Sequence, residues 1–161
     1  RFKMIMTFLL TTRGIPQIYY GTEIGLKGGK GHGAIREDFP GGFPDDNRNA
    51  FTSSERTASE NELFNFFKEI LKVRKKYNAL SLGRLVHYSL ENEVYFYFRI
   101  YNNEKILVVL NNSEKKQNIK LPDEEFLKNV KGLLNLLTNE KINSNDIEID
   151  SLESSIYLVQ E

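Results

Sequence analysis

No cysteine occurs in the 161 residues, which removes disulfides, thiolate zinc sites and a cysteine nucleophile together. That absence fits cytoplasm and periplasm equally and leaves the compartment open. Net charge is also lacking, because 22 basic and 22 acidic side chains cancel. Without a cationic excess, neither nucleic acid nor an anionic membrane surface is an expected partner. The apolar run Met4 to Leu10 falls well short of the roughly 20 residues that cross a bilayer. Around Arg1 there is no succession of basic, apolar and small residues that would read as a signal peptide. His32 and His87 each lack a second histidine or a carboxylate at ligand spacing, so no metal role is read for either. Asp45-Asp46-Asn47 lacks the alternating ligands and central glycine of an EF-hand loop and reads as a solvated turn. No internal repeat or low-complexity tract interrupts the chain.

What is present is a sizeable apolar inventory: 40% hydrophobic residues, with 11 Phe and 8 Tyr. That is enough for one domain or two small ones. Phe2 to Thr12 is apolar on nearly every side, which predicts a helix buried among neighbours. Gly14 ends it, and Ile15 to Tyr20 reads as a short, continuous apolar strand suited to a covered parallel sheet. No second strand of that kind precedes Leu85. A lone parallel strand leaves its backbone groups unpaired, which points to a chain cut from a larger sheet. The helix and strand, without such neighbours, are expected to be displaced or held by a second copy, so homo-oligomer formation stays open.

Gly21 to Ala58 is a glycine-rich connection far longer than the roughly 15 residues that ordinary loops reach, and reads as a binding loop, with disorder over part of it, across Lys27 to Gly33 above all, as the competing account. It carries Glu23, Arg36, Glu37, Asp38, Asp45, Asp46 and Arg48. Ser59-Glu60-Asn61-Glu62 fits a capping box, with Ser59 as cap and Glu62 reaching back. Leu63, Phe66, Phe67, Ile70 and Leu71 follow at helical spacing, and Lys72, Arg74, Lys75 and Lys76 suit the C-terminal end of the dipole. From Arg84 the period changes to two. Strands are predicted over 85–90, 94–101, 105–110, 117–121, 133–137, 147–149 and 156–159, with a short helical turn within 123–130. Short antiparallel strands with polar turns predict a sandwich or open barrel. Along 94–101, Val94, Phe96, Phe98 and Ile100 form the core face. Tyr95, Tyr97, Arg99 and Tyr101 face the other way, toward a domain interface or a sugar ring.

Gly14-Ile15-Pro16-Gln17-Ile18-Tyr19-Tyr20-Gly21-Thr22-Glu23 resembles the G-x-P-x-x-Y-x-G-x-E stretch of the α-amylase superfamily, glycoside hydrolase family 13. Ile35 to Gly42 is similar to the neopullulanase, cyclomaltodextrinase and starch-utilisation α-amylase branch. Leu71, Arg74, Lys75, Ala79 and Leu80 match the L-x-x-R-K-x-x-x-A-L pattern of the last barrel helix. The resemblance implies a fold in two parts. Residues 1–83 would be the last helix, strand, loop and helix of an α/β (TIM) barrel, and residues 84–161 an all-β antiparallel Greek-key sandwich. It implies a retaining hydrolase of α-1,4-glucans such as starch, pullulan or cyclodextrin. The catalytic carboxylates would lie ahead of Arg1, and no cofactor would sit in this chain, calcium being left open for the longer enzyme.

Gly14, Pro16, Tyr20, Gly21 and Glu23 are then structural motif residues, Glu23 as a hydrogen-bonding group beneath the active-site rim. Arg36, with Asp38, is the substrate-binding candidate, since Arg in this loop contacts sugar hydroxyls in related amylases. A loop-fixing Arg36–Asp38 ion pair is the competing account. Where some relatives carry an Asp four residues before that Arg, this chain has His32. Glu37 and Asp38 are adjacent in sequence and tend to point apart, which suits them poorly to a carboxylate pair about 5 Å apart. The rival function is a non-catalytic carbohydrate-binding or structural β-sandwich.

Overall fold

The structure, a computed structural model, describes residues 1–144 and 146–161. Two compact units make up the chain: Arg1–Pro16 with Glu69–Glu161, and Gln17–Lys68.

The first unit is built on a sandwich. Its strands are β1 (Arg84–His87), β2 (Val94–Tyr101), β3 (Glu104–Asn111), β4 (Gln117–Lys120), β5 (Gly132–Asn135), β6 (Lys141–Ile142), β7 (Asp146–Ile149) and β8 (Ser154–Gln160). One sheet has the order β1-β2-β3-β8-β5-β6, and the second pairs β4 with β7. All pairings between strands of the described residues are antiparallel. The chain leaves the large sheet after β3, crosses to the small one twice, and returns as β8 between β3 and β5. Alternation fixes the register of the faces. Phe98, Leu107, Tyr157 and Val159 meet Ile119, Ile147 and Ile149 of the opposing sheet in one apolar core. The expected strands are thus present, and a two-residue β6 joins them.

The opposite face of the large sheet is covered too. Helix α1 (Phe2–Thr11) and the short helix α3 (Ala79–Leu82) lie in the same unit. Thr7 Oγ1 pairs with Ser154 Oγ at 2.9 Å, and Thr11 Oγ1 with Tyr97 Oη at 2.6 Å. Phe8 meets the rings of Tyr95 and Tyr97 edge-on. The expectation that α1 would be displaced is therefore corrected: α1 docks on the sandwich, with Leu10 fully buried. Only one face finds apolar cover there: Phe2, Ile5 and Phe8 stay exposed, so the all-round burial expected of this helix is not reached.

The predicted strand at Ile15 to Tyr20 is not formed. The segment has no ladder partner among the described residues, and Ile15 is 98% exposed. Its apolar pattern supplies side chains for a sheet but no neighbouring strand. Helix α2 (Ala58–Lys76) is capped two residues ahead of the expected Ser59, at Thr57. Thr57 Oγ1 accepts from the Glu60 amide at 3.2 Å, and Glu60 accepts from the Thr57 amide at 2.8 Å. The capping box is Thr57–Glu60, not Ser59–Glu62.

Candidate functional site

The loop unit starts from glycines that the backbone requires. Gly21 (φ 81°) opens a 3-10 turn over Thr22–Ile24. A Cβ at Gly21 would come within 2.8 Å of Leu26, whose amide donates to the Gly21 carbonyl at the same distance. Gly41 (φ 99°) lies against Asn49, 2.5 Å from where its Cβ would stand. Tyr20 Oη donates to the Glu37 carbonyl at 3.0 Å, joining the two motif stretches. Tyr19 packs on Tyr20, and with Thr22, Leu26, Ile35 and Glu37 they line a small cleft of about 80 Å³.

Arg36 and Asp38 both stand exposed on this loop. Among the described residues they form no ion pair with each other, and the Arg36 side chain makes no hydrogen bond. Both act electrostatically on Tyr20. Its phenol is held above the ordinary tyrosine pKa, chiefly by the neighbouring Tyr19 phenol; Asp38 adds to this and Arg36 opposes it. Glu23 is half-buried in the 3-10 turn and makes no side-chain hydrogen bond among the described residues. His32 is exposed, as is His87, whose ring meets Tyr95 edge-on.

The rest of the loop is braced by its own polar groups. Asp46 accepts from the amides of Gly41 (2.7 Å) and Phe43 (3.0 Å), and those bonds lower its pKa. Asp45-Asp46-Asn47 is thus a turn organised by Asp46. Arg48 forks onto Glu60 at 2.7 and 2.8 Å, holding that carboxyl down at about 2. Arg56 lies 3.6 Å over the Phe64 ring and donates to the Ala50 carbonyl. Arg48 was legible only as a loop charge, and Arg56 gave no signal, because their partners are set by the loop's path.

Gly14 and Pro16 belong to the sandwich unit. Arg74 Nη1 donates to the carbonyls of Leu10 (2.6 Å) and Leu80 (3.0 Å), and Nη2 to that of Gly14 (3.2 Å). Arg99, 1% exposed, donates to Thr11, Thr12 and Gly83 carbonyls at 2.7, 2.6 and 3.0 Å. Two guanidinium groups therefore hold the chain as it leaves α1. Among the described residues, no three His, Cys, Asp or Glu side chains are grouped to hold a metal ion, and no helix is long and apolar enough to cross a membrane.

Against known proteins, residues 85–157 match the family described as the cyclo-malto-dextrinase C-terminal domain. Over 99% of its length the chain is 28% identical to a cyclomaltodextrinase of Thermoanaerobacter pseudethanolicus, covering 24% of that protein. Neopullulanase 2 of Thermoactinomyces vulgaris is 30% identical over 88% of this chain and 22% of its own length. Among solved structures, the α-amylase of Geobacillus thermoleovorans complexed with acarbose superposes with a TM-score of 0.78 at 25% identity. That superposition covers 99% of this chain and 33% of the amylase. The chain thus spans about a quarter of the length of these curated relatives.

Proposed function

We propose, on the premise that this chain belongs to the α-amylase superfamily and its residues 85–157 to the cyclo-malto-dextrinase C-terminal domain family, that it is the C-terminal part of a retaining glycoside hydrolase acting on α-1,4-glucans. Residues 1–83 would supply the last helix, strand, loop and helix of the barrel, and residues 84–161 the closing sandwich. The observation that carries this reading is the reach of Arg74. An arginine of the last-helix pattern hydrogen-bonds the Gly14 carbonyl at 3.2 Å, at the first residue of the G-x-P stretch. Two motifs that match the superfamily separately in sequence are joined by one guanidinium. Ile15 to Tyr20 follows that carbonyl in sequence with no ladder partner among the described residues, as a strand does that needs barrel neighbours.

In this reading the loop after the last strand opens on the substrate cleft, as such loops do in α/β barrels. The nucleophile, the acid/base and the stabilising carboxylate come from other barrel strands, and any calcium is held by ligands outside this chain. Arg36 faces solvent with its donors unspent. A planar guanidinium can grip two vicinal sugar hydroxyls at once, and the nearby Asp38 carboxylate can accept from a third. Starch, pullulan and cyclodextrin all present such hydroxyls.

The test is Arg36→Ala in the full-length enzyme. A charge-assisted hydrogen bond contributes about 1.5–3 kcal/mol, so kcat/KM is expected to fall roughly ten- to a hundredfold. The loss is larger on long malto-oligosaccharides than on short ones that never reach the loop. Asp38→Ala is expected to share that length dependence. Equal losses on both substrates, with a matched fall in melting temperature, would mark the pair as a loop brace and end the substrate-contact assignment.

A further inference from the structure

We infer that the cleft at the open edge of the sandwich, between the β1–β2 hairpin and β4, binds α-1,4-glucan chains. It encloses about 530 Å³, within the roughly 300–1,000 Å³ typical of small-molecule sites. Its floor is apolar and aromatic. The Tyr88 ring stacks on Phe96 with centroids 4.8 Å apart and planes 16° apart, beside Val94 and Ile119. Its rim is polar and nearly neutral, with Asn92, Gln117 and Asn118 between Glu91 and Lys120. A sugar ring offers the complement: an apolar face of C–H groups for the aromatic floor and neutral hydroxyls for the rim amides.

Three observations separate this cleft from a chance surface dip. The side-chain amides of Asn92 and Asn118 have no hydrogen-bond partner among the described residues, while Gln117 is oriented by its bond to Ser113 Oγ at 3.1 Å. Among the described residues strand β4 pairs only with β7, so its other edge keeps backbone donors and acceptors available. The hairpin turn that forms the near wall holds Asn92 and Glu93 at φ 49° and 61°. Positive φ at both central residues is what a two-residue hairpin turn requires, and it fixes the near wall of the cleft. Tyr88 is fixed from behind, its phenol 3.1 Å from Glu124 and pushed up to about 12 by burial and that carboxylate. It therefore stays neutral, as a stacking platform for an uncharged sugar requires.

The choice of an α-glucan as occupant rests on the glycosidase reading, and the site is built wholly from sandwich residues. The experiment titrates the 161-residue chain with maltoheptaose, following backbone amide shifts, with cellohexaose as control. Shifts are expected at residues 88–96 and 117–120. Asn118→Ala and Asn92→Gly, which keeps the turn, are each expected to weaken binding about fivefold. Arg36→Ala is expected to leave this binding unchanged. Silence at millimolar maltoheptaose, equal response to cellohexaose, or shifts confined to residues 19–38 that Arg36→Ala removes would each overturn the site. Spectra unchanged elsewhere in the variants guard against misfolding. If the full-length enzyme cleaves no α-glucan while the cleft still binds maltoheptaose, the glycosidase reading falls and this one stands. Hydrolysis without cleft binding gives the reverse.

Discussion

Arg99 is a full charge placed where water hardly reaches, and no carboxylate answers it. Its partners are carbonyls: Thr11 and Thr12 at the C-terminal end of α1, and Gly83 ahead of β1. Helix C-terminal carbonyls carry partial negative charge, so they can satisfy a guanidinium that ion-pairing does not. Burial lowers its pKa, and neighbouring Arg74 and Arg13 add to the same effect. Its Nε is the one buried side-chain polar atom among the described residues without a partner. Arg99→Lys and Arg99→Met are both expected to destabilise the chain by roughly 2–4 kcal/mol, measured by urea unfolding. Lysine gives no rescue, because the three donors of an ammonium radiate from one nitrogen and cannot span carbonyls that two guanidinium nitrogens reach. A methionine variant as stable as the parent would show that these bonds contribute nothing net. Strand alternation had put Tyr97 and Arg99 on one face. It could not say that the end of α1 would meet them, because that contact joins residues far apart in the chain.

Helices and strands were legible to the degree that their signals were local. The alternation along 94–101 gave β2 within its bounds, since a period of two puts Val94, Phe96, Phe98 and Ile100 together on the face toward the sandwich core. Ile15 to Tyr20 carried an equally apolar pattern and formed no strand, because a ladder needs a neighbour that the pattern does not contain. The start of α2 failed for a subtler reason. Thr57–Glu60 and Ser59–Glu62 both satisfy the capping rule, and the Arg48 fork onto Glu60 goes with the first. That choice has a pH signature. Glu60's folded pKa lies near 2 against an ordinary 4.5, so its stabilisation is complete above about pH 4.5 and is lost as pH falls toward 2. Discounted for screening, it amounts to roughly 1–2 kcal/mol. Glu60→Gln is expected to lower the melting temperature at pH 7 and leave it unchanged at pH 2. An equal loss at both pH values would point to packing in place of charge.

At the scale of the molecule, sequence order and compactness divide the chain differently. A cut between residues 83 and 84 follows the proposed barrel-and-sandwich reading, whereas compactness gathers α1 and the end of α2 with the sandwich and leaves Gln17–Lys68 by itself. In the proposed reading neither part carries the reacting groups. A retaining hydrolase needs two carboxylates about 5 Å apart across the glycosidic bond, one to attack and one to protonate. The loop offers Glu37 and Asp38 as exposed neighbours, and Glu23 half-buried in a separate turn. The α-glucan reading therefore predicts that the 161-residue chain, purified free of host amylase, releases no reducing sugar from starch, pullulan or cyclodextrin above a buffer blank. It is nevertheless expected to retain maltoheptaose binding at the sandwich cleft, so loss of chemistry is separable from loss of fold. Release of sugar by the chain alone, abolished by Glu37→Gln or Asp38→Asn, would place a working carboxylate on this loop and overturn the division of labour between barrel and C-terminal part.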